Sequence, residues 1–258
     1  MNLLEKLSLN HPESSKSTLR KWIKMGRVTI NGKVADHPQT PVEGEAIVAL
    51  EKKKKLLAYD VEILYQDKDL VVLNKPRGLL TVKAAYEEER TVHGALKQSF
   101  SNVYPVHRLD RETSGVMVMA LSEEARVGLK KQFHDHSIHR EYRAIVIGHL
   151  QGSGTWKVPL QEDTNYVVCP HPQGEMAITH YKALKQRGKT TVMQFILETG
   201  KKNQIRAHCL HAGFPILGDQ KYGKDGRGPL HLHAYFLSFA HPITNAPMKF
   251  STPPPFET

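Results

Sequence analysis

The chain has 258 residues, enough for one large domain or for a small and a medium one, and its apolar content of 40% is ordinary for a globular protein. Its formal net charge of +10 favours a polyanionic partner, either nucleic acid or an anionic membrane. Two cysteines, Cys169 and Cys209, exclude a disulfide framework and fit a reducing compartment. The N-terminus lacks a signal-peptide pattern, and no apolar run reaches the roughly 18 residues of a membrane span. The composition therefore predicts a cytoplasmic protein that binds nucleic acid and no membrane.

Residues 1–55 are predicted to form a small α/β domain. Apolar spacing indicates a short helix at the N-terminus and a second helix that is capped by Ser17 and ends at Gly26. The dipeptide Asn31-Gly32, typical of a two-residue hairpin, joins two short strands. A third strand over residues 46–50 completes the unit.

Basic side chains cluster on the second helix, the turn after it and the hairpin: Arg20, Lys21, Lys24, Arg27 and Lys33. A solvated helix surface is the usual explanation of such charges, and contact with RNA phosphates is the alternative. The helix followed by Gly-Arg-Val-Thr-Ile-Asn-Gly-Lys resembles the small RNA-binding module named after ribosomal small-subunit protein four. This resemblance implies that the five basic residues bind RNA.

Residues 56–258 are predicted to form a second, α+β domain whose sheet is mixed and largely antiparallel. Most of its segments read as strands joined by short turns. Three helices are expected, with Thr91, Ser122 and Asn203 as the residues that cap their N-termini. The segment from 152 to 175 is expected to be loop-rich and peripheral. The flanking helices are expected to pack on the sheet.

One stretch of the second domain, from Pro105 to Leu121, concentrates chemically useful side chains. A polar turn that includes Asp110 and Gly115 precedes six apolar residues, which indicates a fully buried strand. Asp110 should therefore lie on a loop anchored by the core, where reactive side chains are commonly held. Taken alone, the same residues also fit an aspartate that caps a turn and pairs with a neighbouring arginine.

Other site chemistries are not supported by the spacing of the residues. Three histidine groups, at 134–139, 208–211 and 231–233, lack both a cysteine pair and the His-Glu-x-x-His pattern, so no metal site is predicted. Ser114 lacks the Gly-x-Ser-x-Gly elbow of a serine hydrolase. The glycines at 223 and 226 do not complete a phosphate-binding loop of the Walker type.

Four sequence blocks occur in order along the second domain. They are Asn74-Lys75-Pro76-x-Gly78-Leu79; His107-Arg108-Leu109-Asp110-x-x-Thr113-Ser114-Gly115; Glu141-Tyr142-x-Ala144-x-Val146-x-Gly148; and Thr199-Gly200-Lys-Lys-Asn203-Gln204-Ile205-Arg206, extended by Gly213-x-Pro215-Ile216-x-Gly218-Asp219-x-x-Tyr222-Gly223. Together they resemble the RluA family of RNA pseudouridine synthases over roughly residues 59 to 250. The fourth block departs from the family at Lys202-Asn203, where many members have Thr-His.

The resemblance implies the pseudouridine synthase fold and the isomerisation of uridine to pseudouridine in RNA, with no cofactor and no metal. Asp110 matches the family's catalytic aspartate. The carboxylate must act close to the sugar and base in a pocket that excludes water. Attack on the ribose and removal of a proton to give a glycal both remain open as its role.

The other expected site residues are carried over from the same blocks. Arg206 matches the arginine that pairs with the aspartate, for which a bidentate grip is expected, and Tyr142 matches the aromatic residue that stacks on uracil. Arg108 matches a position proposed to fill the stack vacated by the flipped base, and a simple phosphate contact is the alternative. His107, Lys75 and Ile205 are expected in the substrate pocket, the first two as structural support.

Three functions are compatible with the basic composition. The first is pseudouridine formation in structured RNA, with large-subunit ribosomal RNA favoured over tRNA because family members with the N-terminal module often act there. The second is a catalytically silent RNA-binding or ribosome-assembly protein, which would be expected to have lost Asp110, Tyr142 or Arg206. The third, DNA binding, explains the charge but not the blocks.

Overall fold

The computed structural model describes residues 1–24, 26–50, 55–83, 90–223 and 227–256. The chain forms two compact units, Met1–Lys54 and Lys55–Thr258. The first unit ends one residue before the boundary expected from the sequence. The charged run at 51–54 lies outside the described residues.

The N-terminal unit packs two helices on a three-stranded sheet. Its elements are α1 (Leu3–Asn10), α2 (Lys16–Lys24), β1 (Val28–Ile30), β2 (Lys33–Val34) and β3 (Val48–Leu50), with strand order β2-β1-β3. Its core is apolar and fully buried, and includes Leu3, Leu7, Leu19 and Ile23. The expected helix–helix–hairpin order is confirmed, and both turn residues of the hairpin adopt positive φ. The expected cap at Ser17 was wrong, because the hydroxyl that accepts from the first turn of α2 belongs to Ser15.

In the second unit, the described residues form one 12-stranded sheet with three α-helices. The helices are α3 (Val92–Lys97), α4 (Glu123–His134) and α5 (Gln204–His211). The strands are β4 (Lys55–Leu56), β5 (Glu62–Gln66), β6 (Leu70–Lys75), β7 (Tyr104–Pro105), β8 (Ser114–Ala120), β9 (His139–Ile147), β10 (Ser153–Glu162), β11 (Val168–Pro170), β12 (Glu175–Arg187), β13 (Thr190–Leu197), β14 (Leu232–Ala240) and β15 (Pro247–Ser251).

The sheet runs β11-β10-β12-β13-β9-β14-β8-β6-β5-β4, with β15 beside β14 and β7 beside β8. Every pairing in it is antiparallel except β14 with β8. The expected α+β class with a mixed, largely antiparallel sheet is therefore confirmed. Among the described residues, no helix is long and apolar enough to span a membrane.

Strand β8 lies between β14 and β6 in the sheet, and all seven of its residues are buried. Its apolar side chains alternate between two core clusters, one on each face of the sheet. Gly115 permits the parallel pairing, because a Cβ there would lie 2.2 Å from the carbonyl oxygen of Ala234 and the residue has φ +117°. The buried strand predicted after the polar turn is confirmed.

Two expectations about local structure hold and one fails. Thr91 and Ser122 cap α3 and α4 through their side-chain oxygens, as predicted. The segment 152–175, expected to be loop-rich, instead contains the ten-residue strand β10 and the short β11. Its alternation of Trp156, Val158 and Leu160 is a strand pattern, which the neighbouring glycines and Pro159 disguise.

Candidate active site

Asp110 lies on the loop between β7 and β8, and its backbone is tightly held. The buried Thr81 hydroxyl donates to the carbonyl oxygen of Leu109 at 2.8 Å and accepts from the Leu109 N–H at 3.2 Å. The carbonyl oxygen of Asp110 accepts from the N–H of Thr113 at 3.1 Å. The Asp110 side chain is 31% exposed, so a substrate can reach it. Thr81 was not among the expected site residues.

Lys75 stabilises the same loop through hydrogen bonds to backbone carbonyl groups. Its fully buried ammonium group donates to three carbonyl oxygens, of Pro76 at 2.9 Å, Leu79 at 2.6 Å and Arg111 at 3.0 Å. Burial lowers the pKa of Lys75 to about 7, and the nearby Asp110 carboxylate acts in the opposite direction. Three acceptors match the three N–H groups of an ammonium ion, so the side chain ties the turn after β6 to the residue that follows Asp110.

Arg206 contacts Asp110, but its two shorter hydrogen bonds are to Asp219. Its Nη1 lies 3.3 Å from Oδ2 of Asp110, whereas Nε and Nη2 donate to the two carboxylate oxygens of Asp219 at 2.7 and 2.8 Å. The expected bidentate pairing of Arg206 with Asp110 was therefore wrong, because Nε and Nη2 of the guanidinium group bind Asp219 instead. Burial acts to lower the pKa of Arg206, but Asp219 and Asp110 outweigh it and raise the pKa.

Asp219 is the main residue that sequence reasoning missed. Its carboxylate is 0% exposed and also accepts from the backbone N–H groups of Lys221 and Tyr222, at 3.0 and 2.9 Å. Gly218 allows the sharp turn before it, because it has φ +77° and a Cβ there would lie only 1.9 Å from the carbonyl oxygen of Pro229. The available signal was its place after Gly218 in the extended fourth block.

Asn203 stands where the family commonly has histidine, and it connects two site residues. Its Oδ1 accepts from Nη1 of Arg206 at 3.1 Å, and its Nδ2 donates to the hydroxyl of Tyr222 at 3.1 Å. The residue has φ 51° and makes no side-chain cap to α5, so the expected capping role was wrong. Its side chain is used to orient Arg206 instead.

Tyr142 lies on β9, between β13 and β14, and packs against two of the core clusters. Burial raises the pKa of Tyr142, Arg140 lowers it and Asp110 raises it, so the phenol stays neutral at physiological pH. Ile205, at the start of α5, is buried beside it. Both side chains give the site apolar walls.

Asp110, Tyr142, Asn203, Ile205 and Arg206 line one pocket. The residues around it are Arg108, Leu109, Asp110, Thr113, Tyr142, Leu197, Lys201, Asn203, Gln204, Ile205, Arg206 and Leu232. A larger cleft shares much of this lining and carries basic side chains at 83, 108, 111, 126, 130, 140, 201, 202, 206 and 221, against acidic ones at 110 and 162. The excess of basic side chains favours a polyanionic ligand in the cleft.

The two residues before Leu109 have different surroundings. Arg108 is exposed and lines both pocket and cleft, and its side chain has no hydrogen bond or ion pair among the described residues. His107 is stacked on Phe133 at 4.6 Å, and its Nε2 accepts from the N–H of Val118 at 3.1 Å. Burial, with a smaller effect of Arg140, lowers the pKa of His107 to about 3. His107 is therefore a neutral support for the loop.

The expected RNA-binding residues of the N-terminal unit all lie at its surface or close to it. Arg20, Lys21, Lys24 and Lys33 are exposed, and Arg27 is half-buried with its guanidinium over the ring of Trp22. The fold thus keeps α2 and the hairpin basic on their solvent side.

In the described part of the chain, three potential metal ligands lie close together, Asp67, Asp69 and His241. This cluster includes none of the histidines at 134–139, 208–211 and 231–233. The Asp67 carboxylate already accepts from Tyr65, from His241 and from two backbone N–H groups. Asp69 accepts from the hydroxyl of Ser122. These hydrogen bonds account for the cluster as a link between the β5–β6 turn and the start of α4.

Comparison with known proteins identifies the class. Residues 69–211 match the RNA pseudouridylate synthase family, and residues 11–48 match the S4 domain. The chain belongs to the RNA pseudouridylate synthase family, and it is an RNA pseudouridine synthase with an N-terminal S4 domain. The resemblance drawn from the four blocks and from the N-terminal module is confirmed.

Among the relatives is ribosomal large subunit pseudouridine synthase D. The Escherichia coli O6:H1 protein is 34% identical over 95% of this chain and 84% of its own length. The Vibrio cholerae protein is 32% identical over 93% of this chain and 84% of its own length. The solved structure of human RNA pseudouridylate synthase domain containing 1 superposes with a TM-score of 0.65 at 25% identity, covering 76% of this chain and 84% of that one.

Proposed function

We propose that this enzyme converts a uridine of large-subunit ribosomal RNA to pseudouridine, with Asp110 as the catalytic carboxylate. The observation that carries the proposal is the 3.3 Å contact between Asp110 and Arg206 in a pocket that Tyr142 also lines. The relatives named as ribosomal large subunit pseudouridine synthases support the choice of RNA. The presence of Asp110, Tyr142 and Arg206 disfavours a catalytically silent RNA-binding protein.

The reaction is an isomerisation, so no oxidant, reductant or second substrate is needed. The bond from N1 of uracil to C1′ of the ribose breaks, the base turns, and a bond from C5 to C1′ forms. The hydrogen leaves C5 as a proton, and N1 gains one. The Asp110 carboxylate serves as nucleophile towards the ribose or as base for a ribose proton, and Arg206 places a positive charge 3.3 Å from it in either role.

The pocket walls serve the same reaction. The neutral ring of Tyr142 stacks on the uracil, while Ile205 and Leu232 keep bulk water from the detached base. A uridine in a stem or loop must leave its stack to reach Asp110, at a cost of a few kcal/mol. The exposed Arg108 either occupies the vacated stack or binds a phosphate at the mouth of the pocket.

The S4 domain is proposed to add affinity through its exposed basic residues, at positions 20, 21, 24, 27 and 33. Phosphate contacts of this kind supply most of the affinity of nucleic-acid-binding proteins and carry little sequence information. The choice of uridine is therefore assigned to the pocket and cleft.

Mapping of pseudouridines in ribosomal and transfer RNA tests this proposal, in cells with and without the gene. One or more ribosomal sites should lose the modification and regain it when the wild-type gene is restored. Asp110→Asn should not restore it, while purified Asp110→Asn should bind the RNA within about tenfold of wild type. Asp60→Asn is the matched control, because Asp60 is exposed and its φ of 59° suits asparagine.

Each alternative has its own outcome. Loss of a tRNA site alone would replace the proposed substrate while keeping the chemistry. Full restoration by Asp110→Asn would exclude Asp110 as the catalytic residue. An unchanged pseudouridine map with RNA binding intact would favour the silent RNA-binding protein.

A further inference from the structure

Arg140 is a buried cation on the wall of the cleft that the chemistry above does not use. It lies on β9 two residues before Tyr142, so both side chains point to the same face of the sheet. Arg140 is only 9% exposed and lines the same cleft as Asp110 and Tyr142. Its position therefore places a positive charge beside the path of the RNA.

The surroundings hold the guanidinium in place without neutralising it. Nη2 donates to the carbonyl oxygen of Glu198 at 2.9 Å, and the group lies 5.8 Å above the ring centroid of Phe133. Gly200 makes room for it, because a Cβ at that position would lie 2.4 Å from Nη1. Nε is buried and has no hydrogen-bond partner, and no carboxylate among the described residues pairs with Arg140.

A buried arginine without a counter-charge is costly, since desolvation of a cation is repaid only by a partner of opposite charge. Burial accordingly lowers the pKa of Arg140. Arg206, which lines the same cleft, has the fully buried Asp219 as its partner. The difference between the two arginines indicates that the counter-charge of Arg140 arrives with the ligand.

We propose that Arg140 binds a backbone phosphate of the RNA strand, next to the target uridine, and so positions that strand against Asp110. The inference rests on the proposed function, because the cleft is taken as the RNA path. A phosphate in the cleft supplies the missing counter-charge through charge-assisted hydrogen bonds, for which the planar guanidinium is well suited. No covalent step is involved, and Arg140 is a positioning residue.

The first test compares the salt dependence of binding to an unmodified transcript of large-subunit ribosomal RNA. Arg140→Gln should lower the slope of log K against log salt by about 0.7 to 0.9, the value expected when one phosphate is no longer bound. Arg187→Gln is the matched control, because Arg187 is exposed at the end of β12, away from the cleft, and should leave the slope unchanged. Equal slopes for Arg140→Gln and wild type would overturn the proposal.

A second test separates positioning from a purely structural role. Arg140→Gln should raise KM about tenfold and leave kcat within about threefold, because the contact helps to bind the strand as a whole. A fall in kcat at unchanged KM and unchanged salt slope would overturn the proposal.

Gly200→Ala is a second variant that perturbs Arg140 without removing its charge. It keeps the proposal testable even if Arg140→Gln does not fold. The added methyl should displace the guanidinium, raise KM several-fold and lower the salt slope. An unchanged KM and slope for Gly200→Ala would count against the proposal, as would full additivity of the two variants. If wild type forms no pseudouridine in this RNA, the proposed function fails, whereas the salt slopes still test the phosphate site.

Discussion

The Arg206–Asp219 pair is predicted to stabilise the catalytic domain as well as the site. Asp219→Asn removes a charge that is fully buried, and it replaces one of two oxygens, 2.7 and 2.8 Å from the guanidinium, with an N–H donor. Charge-assisted hydrogen bonds contribute about 1.5 to 3 kcal/mol each, and loss of one partner of a buried pair costs about 3 to 5 kcal/mol. We expect the free energy of unfolding to fall by about 3 to 4 kcal/mol.

Urea unfolding measures this loss in a Trp22→Phe background, where Trp156 alone reports on the second domain. Asp163→Asn is the matched control. Asp163 is exposed and accepts from the backbone N–H groups of Asn165 and Val167, but it has no arginine partner among the described residues. A difference of less than about 1 kcal/mol between the two variants would refute the reasoning.

The same substitution should also slow the reaction. Without the Asp219 carboxylate, the guanidinium group of Arg206 can rotate and lose its position relative to Asp110. Misplacement of a catalytic group by about 1 Å can cost about a hundredfold in rate. Single-turnover kinetics at saturating RNA should show a fall in rate of this order, and an unchanged rate would show that Arg206 needs no second carboxylate to act on Asp110.

Three further perturbations test other parts of the molecule. The unfolded chain holds the Lys75 proton up to about pH 10.5 and the folded chain only up to about pH 7, so the unfolded state binds more protons in this window and the free energy of unfolding gains a term that rises with pH. Lys75→Met should lose that term in urea unfolding at pH 7 to 9, and parallel pH profiles would contradict it. Gly115→Ala should destabilise the domain by at least about 3 kcal/mol, because its methyl meets the backbone of Ala234, whereas Gly188→Ala, with positive φ but open space, should cost about 1 to 2 kcal/mol. Equal costs would show that β14 can move aside. Glutamine at the exposed basic positions 20, 21, 24 and 33 should lower the salt slope of RNA binding by about 0.7 to 0.9 for each phosphate that is no longer bound, while the single-turnover rate stays the same, and an unchanged slope would remove the S4 domain from RNA binding.

The local features of the fold could be predicted because their causes are local. Six consecutive apolar residues after a polar turn are too few for a typical helix and indicate a strand buried on both faces, and β8 is such a strand. Thr91 and Ser122 cap helices because their side-chain oxygens reach the first-turn N–H groups of the same segment. The place of Asp110 follows from β8 in the same way.

The partners of the site side chains could not be predicted in this way. Arg206 and Asp219 are 13 positions apart, joined by a helix end and two glycine turns, and nothing in their spacing sets a carboxylate against the guanidinium. Asn203 has the residue type of a helix cap, but its left-handed backbone turns the side chain towards Arg206 and Tyr222. Which partner wins is decided by long-range packing.

The division of Arg206 between two carboxylates has a consequence for Asp110. Because Asp219 takes the fork, Asp110 receives one N–H at 3.3 Å on Oδ2, and its Oδ1 has no hydrogen-bond partner among the described residues. A bidentate pair would occupy both oxygens and would have to open before the carboxylate could reach a ribose. Instead, Thr81 and Lys75 fix the backbone on either side of Asp110, so the carboxylate is oriented while Oδ1 stays available to the substrate. The site therefore separates the task of holding Asp110 in place, carried by backbone contacts, from the task of placing a positive charge beside its carboxylate, carried by one N–H group of Arg206.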